Sequence, residues 1–172
     1  MSYHAAAMSV STKLRCFITF VLLLFSLTVA AQSDGAKAFE KMKLLAGSWE
    51  GKDASGHAVS DRFEVTSAGG SLMSELNAEE PMTSMFYMDG DRLMMTHFCP
   101  SKNQPRMKAT VSPDGAIITF DFVDATNLAT PETGHMHRAV YIISGPDSLA
   151  EEWTWRHNGK DSKEHFELHR KP

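Results

Sequence analysis

Residues 97–107, HFCPSKNQPRM, concentrate the side chains best suited to chemistry. His97 and Cys99 stand two apart, as do His135 and His137. In a strand, residues two apart project from one face. Each pair could offer two ligands to one ion, and imidazole with thiolate suits zinc or copper. If both strands face the same cavity, His97, Cys99, His135 and His137 converge as a zinc or haem site. The simpler alternative keeps His97 and Cys99 as core or rim residues and leaves the other two histidines at a strand start near solvent. A Cys99 thiolate activated by His97 is the nucleophilic reading. Same-face neighbours stand side by side, however, and Pro100 turns the chain away.

The loop that follows supports a binding argument. Pro100 and Pro105 restrict it, and Asn103, Gln104 and Arg106 crowd donors into a small space. Arg106 could fork onto a carboxylate or phosphate, which suits a ligand with an apolar body and an anionic head. Equally, Asn103 and Gln104 could satisfy turn backbone while Arg106 pairs with Asp121 across strands. In the binding reading, His97, Asn103, Gln104, Arg106, Asp121 and His137 orient the polar end of a small lipophilic or amphipathic molecule. In an enzyme at the same mouth, His97 would be the general base and Arg106 would hold a developing anion. No phosphate-cradling glycine loop or Ser-His-Asp order accompanies them, so the pattern favours a binding protein over an enzyme.

These residues need a framework, and the first 31 residues are not part of it. Lys13 and Arg15 precede the apolar run FITFVLLLFSLTV, and Val29-Ala30-Ala31 supplies small residues for cleavage before Gln32. That is the pattern of a signal peptide, with the run too short for a span of about 20 residues. It predicts a periplasmic or secreted protein with no stable membrane insertion after cleavage. The remaining 32–172 form one domain, enough to bury a core. The leader holds two bases and no acid, so the remainder carries about −6 from the whole chain's −4. A net-acidic chain without a basic cluster shows no footprint for nucleic acid. Cys16 leaves with the leader, so Cys99 has no partner for an internal bridge and stability must come from the core.

Residues 32–45 read as a helix capped by Ser33 or Asp34, with Phe39, Met42 and Leu45 at helical spacing. Ala46-Gly47 stops it. The period then changes to two, with turn signals every eight to twelve residues. The spacing predicts strands at 47–52, 58–66, 71–78, 83–88, 92–99, 106–112, 116–124, 135–144, 149–157 and 163–170. Asp89-Gly90 and Asn158-Gly159 are hairpin signals. About ten short strands, without room for crossover helices, imply an all-β, single antiparallel up-and-down barrel, because an open meander would expose long edges. Nine methionines and several phenylalanines supply its soft interior. On the ninth strand Glu151, Trp153 and Trp155 share one face. His165, Glu167 and His169 read as a solvated one.

At Leu45-Ala46-Gly47-Ser48-Trp49-Glu50-Gly51 the chain resembles the entry motif of the calycins, which include lipocalins, fatty-acid-binding proteins and nitrobindin-like barrels. It is most similar to the nitrobindin-like and related uncharacterised exported bacterial proteins. The resemblance implies that Trp49 is structural, packing across the closed end of the barrel beneath a late basic residue, here Arg156 or Arg170. It also implies a cavity for an apolar or planar ligand. No histidine aligns to a haem-ligating one.

Overall fold

The structure is a computed structural model that describes residues 32–172; the expected leader at 1–31 lies outside the described residues. Ser33 caps the helix α1 (Asp34–Lys43), its hydroxyl accepting from the Ala36 amide at 3.1 Å. Ala38, Phe39 and Met42 form the buried stripe. The next three amides each bond three residues back, which tightens the last turn and ends the helix two residues short of the predicted 45.

Ten strands follow: β1 (Gly47–Asp53), β2 (Ala58–Thr66), β3 (Ser71–Asn77), β4 (Pro81–Asp89), β5 (Arg92–Phe98), β6 (Gln104–Val111), β7 (Ile117–Thr126), β8 (His135–Gly145), β9 (Ser148–His157) and β10 (Lys160–Arg170). Each pairs antiparallel with its sequence neighbours, and β1 pairs with β10 to close the barrel. Closure satisfies both sheet edges. The last strand begins three residues earlier than predicted, because Asn158 (φ 50°) and Gly159 (φ 69°) form a two-residue hairpin that pairs His157 with Lys160. The other hairpin signal is displaced by one residue. Asp89 pairs with Arg92, so Gly90 and Asp91 make the turn and only Gly90 takes a positive φ.

Helix α1 lies across one end, where Lys41 Nζ bonds the Gly115 carbonyl at 2.7 Å and Lys43 Nζ the Gly69 carbonyl at 3.4 Å. Trp49 sits in this closed end, 1% exposed, with Nε1 donating to the Leu45 carbonyl at 2.8 Å. Its register partner Arg170 places its guanidinium 4.5 Å from the ring centre and bonds the carbonyls of Leu44, Ala46 and Pro146. The covering residue is therefore Arg170; Arg156 pairs with Asp161. Both flanking glycines are required. Gly47 has φ +130°, and a Cβ on Gly51 would collide with the Glu167 carbonyl.

Three register shifts interrupt the ladders, the last between Ile143 and Gly145, and the first two alter the faces near the open end. Between Arg106 and Met107 the β6–β7 register shifts, and between Met136 and Arg138 β8 carries an extra residue, His137. The second reverses the phase that simple alternation would give β8. Met136, Ala139 and Tyr141 point into the core, whereas simple alternation groups Met136 with Val140 and Ile142.

Candidate functional site

The end opposite Trp49 is open. There a cleft of about 830 Å³ is walled by Val59, Met82, Met136, Trp155 and Phe166. Asp53, Glu79, Glu80 and Glu164 stand among its other lining residues with His57 and Cys99, and no lysine or arginine lines it. Asp53 also holds the β1–β2 turn: its Oδ1 accepts from the Ser55 and His57 amides at 2.8 Å, and its Oδ2 lies 2.9 Å from His57 Nδ1. The Trp155 ring rests against Gly134, where any Cβ would intrude.

Beneath this cleft the barrel carries a buried polar belt. Ser74 donates to both carboxylate oxygens of Asp61, at 3.0 and 2.8 Å. Ser84, the register partner of both Ser74 and His97, lies 2.9 Å from His97 Nδ1. The His97 ring packs on Trp153 with centroids 4.9 Å apart, and Trp153 Nε1 donates to Glu151 Oε2 at 2.9 Å. The Tyr141 ring meets Trp153 edge-on at 6.1 Å. All are buried. Burial sets their protonation. It lifts the Asp61 carboxyl to about 6, against hydrogen bonds that pull it down. It lifts Glu151 further, helped by the neighbouring Asp61 charge, so Glu151 is the protonated member of the pair. Burial pushes His97 down to about 4, leaving the imidazole neutral at pH 7. Burial, then Glu151 and Asp61, hold the Tyr141 phenol above its ordinary range. Two of these groups keep an atom without a partner, His97 Nε2 and Tyr141 Oη, whereas the protonated Glu151 carboxyl hydrogen-bonds Asp61.

The residues singled out in the sequence go to several places. His97 enters the belt, and Cys99, two residues on, reaches the cleft with a free thiol. Asn103 is buried and donates to the Gly134 carbonyl at 2.8 Å, anchoring the β5–β6 loop beside Trp155; its Oδ1 has no partner. Gln104 bonds the Lys102 carbonyl and accepts from Thr126 and Asn127, a turn-holding role. Arg106 is exposed and forks onto Asp124, not Asp121, because the β6–β7 bulge sets Asp124 opposite it. Asp121 instead faces Arg138 at 3.4 Å. His135 and His137 form a separate group. Their rings are 3.2 Å apart from Nε2 to Nδ1, both pack on Phe122, and His137 Nε2 lies 2.6 Å from the Arg156 guanidinium. Burial, then Arg156, lowers the His137 pKa.

The expected four-ligand convergence therefore does not occur. Among the described residues no group of three or more His, Cys, Asp or Glu could hold a metal ion. The bulge at His137 and the position of Cys99 at the mouth separate the pairs. Likewise His97, Arg106, Asp121 and His137 share no cleft, so the general-base and anion-holding pair of the enzyme reading is not assembled. Sequence reading missed Asp61, Ser74, Ser84, Tyr141 and Glu151 as a unit. The available signal was an acid on the apolar phase, in Val59-Asp61-Phe63 and Leu149-Glu151-Trp153.

No family model matches the chain, and a search of curated proteins finds no match. Among solved structures it is similar to a protein of unknown function of the DUF3598 family from Nostoc punctiforme, at TM-score 0.52 and 12% identity, over 76% of this chain and 49% of that one. It is also similar to Rv2717c from M. tuberculosis, at TM-score 0.53 and 19% identity, over 80% of this chain and 99% of that one. The chain spans about half the length of the Nostoc protein. At these identities the likeness is one of fold: a closed ten-stranded antiparallel barrel.

Proposed function

We propose that this chain is an exported, calycin-like binding protein that holds a small, largely apolar or amphipathic molecule at the mouth of its barrel. The cleft above Met82, Trp155 and Phe166 carries the reading: it is concave, apolar-walled and placed at the end that α1 and Trp49 leave open. The Trp49–Arg170 stack with its two obligatory glycines supports the calycin kinship. The leader at 1–31 supports export, and a processed chain beginning at Gln32 in the periplasm or medium would test that part. The carboxylates on the cleft, without an arginine or lysine, disfavour the anionic head that the Arg106 argument suggested.

The test is titration of the purified protein with N-phenyl-1-naphthylamine, a neutral apolar fluorophore. Saturable one-site binding, weakened about fivefold or more by Trp155→Ala, is expected. No saturable binding, or binding indifferent to Trp155, would overturn the reading.

A further inference from the structure

His137 is the extra residue of the β8 bulge. Met136 pairs with Trp155 and Arg138 with Thr154, so His137 has no partner across the ladder. Its ring holds it instead. The imidazole stacks on Phe122 at 5.3 Å and 23°, and both its nitrogens are engaged, Nδ1 by His135 Nε2 at 3.2 Å and Nε2 by Arg156 Nη1 at 2.6 Å. The chain continues at each end. His135 Nδ1 lies 2.8 Å from the Thr133 carbonyl, and Arg156 forks onto Asp161.

Only one placement of protons satisfies these contacts. A carbonyl accepts, so His135 Nδ1 carries a hydrogen; a guanidinium only donates, so His137 Nε2 is bare. The remaining bond then runs from His137 Nδ1–H to the bare His135 Nε2. Both rings are neutral, and neither has an acceptor left over. An added proton must go to His137 Nε2, against the guanidinium, or to His135 Nε2, against the His137 Nδ1–H. The carboxylates on neighbouring strands do not offset this, because each already has an arginine: Asp161 of β10 has Arg156, and Asp121 of β7 has Arg138. This clamp backs the cleft. Met136 lies between the two histidines, its register partner Trp155 precedes Arg156, and both line the cleft.

We propose that the His135–His137 pair makes ligand retention pH-dependent: a proton on either ring breaks the clamp, Met136 and Trp155 lose their seat, and the cleft releases its ligand on acidification. The inference rests on the binding reading and adds its regulation. The sign follows from burial and Arg156, which keep His137 neutral near neutral pH. The clamp is intact above the ordinary histidine range and is lost as pH falls through the lowered value.

The test is the N-phenyl-1-naphthylamine titration repeated at about pH 7.5 and about pH 5, a window that spans histidine protonation. The parent protein should bind about tenfold more weakly at the lower pH. His137→Gln, whose amide offers a donor and an acceptor but takes no proton, should hold its affinity to within about twofold. Groups shared by both proteins, Asp61 and the cleft's carboxylates and His57 among them, drop out of that comparison. Binding that does not weaken on acidification, or weakens equally in the variant, overturns the switch and leaves the cleft reading standing. No binding at either pH overturns the cleft reading, and the switch falls with it. Imidazole nitrogen NMR of the parent protein reads the clamp without ligand or variant. Both rings protonated at Nδ1 and bare at Nε2 are expected at about pH 7.5, and an Nε2–H on either ring overturns the proposal.

Discussion

The two ends of the barrel treat polar groups in opposite ways. At the closed end Trp49 Nε1 has the Leu45 carbonyl, and Arg170 has three carbonyls and an aromatic face. The unpartnered buried side-chain atoms of the described residues lie elsewhere, in the middle of the barrel and in the loop at its open end. A plug built only for stability has reason to satisfy every donor and acceptor. The middle of the barrel leaves His97 Nε2 and Tyr141 Oη unsatisfied, at a cost to stability that the closed end avoids.

That contrast can be broken from its stable side first. Trp49→Ala removes a fully buried indole from beneath Arg170, so a loss of about 3–5 kcal/mol in urea denaturation is expected. A loss below about 1 kcal/mol would mean that this end is not the anchor.

The belt gives a sharper test, because two of its groups tie stability to pH in opposite directions. Asp61 titrates at about 6 folded against 3.8 ordinarily, so the native state keeps a proton that the unfolded chain releases. Its contribution to stability is greatest at acid pH and falls as pH rises through that window. Glu151 acts in the same sense, because burial and the Asp61 charge raise it. His97 titrates at about 4 folded against 6.5 ordinarily, so its contribution is full above the ordinary value and is lost on acidification. Between roughly pH 4 and 6 the slopes oppose. Relative to the parent protein, Asp61→Asn should lose more stability on acidification and His97→Gln should lose less. Shifts of the same sign in both variants would contradict the protonation states assigned to the belt.

The smallest effect belongs to the residue that dominated the sequence argument. Arg106→Ala breaks an exposed pair with Asp124 and should leave the urea midpoint nearly unchanged, with naphthylamine binding unaffected. Weakened binding would restore Arg106 to the site.

Why the barrel was legible and the belt was not follows from what local sequence encodes. Turn chemistry is local: Asn158-Gly159 announces its hairpin, and Gly47-x-Trp49-x-Gly51 announces a close strand approach at a buried ring. Face assignment is not local. The β8 bulge has no glycine or proline to mark it, yet one inserted His137 moves Met136 onto the inner face and carries the His135–His137 pair away from His97. Glu151 was visible beside Trp153 and Trp155, but several strands carry apolar residues on both faces. Whether that acid pointed inward depended on register across the barrel.

The most direct measurement is a crystal structure of the protein with 2-naphthol. The account predicts the naphthalene rings against Trp155 and Met82. Naphthol bound elsewhere, or a cleft left empty at a concentration that saturates binding in solution, would contradict it.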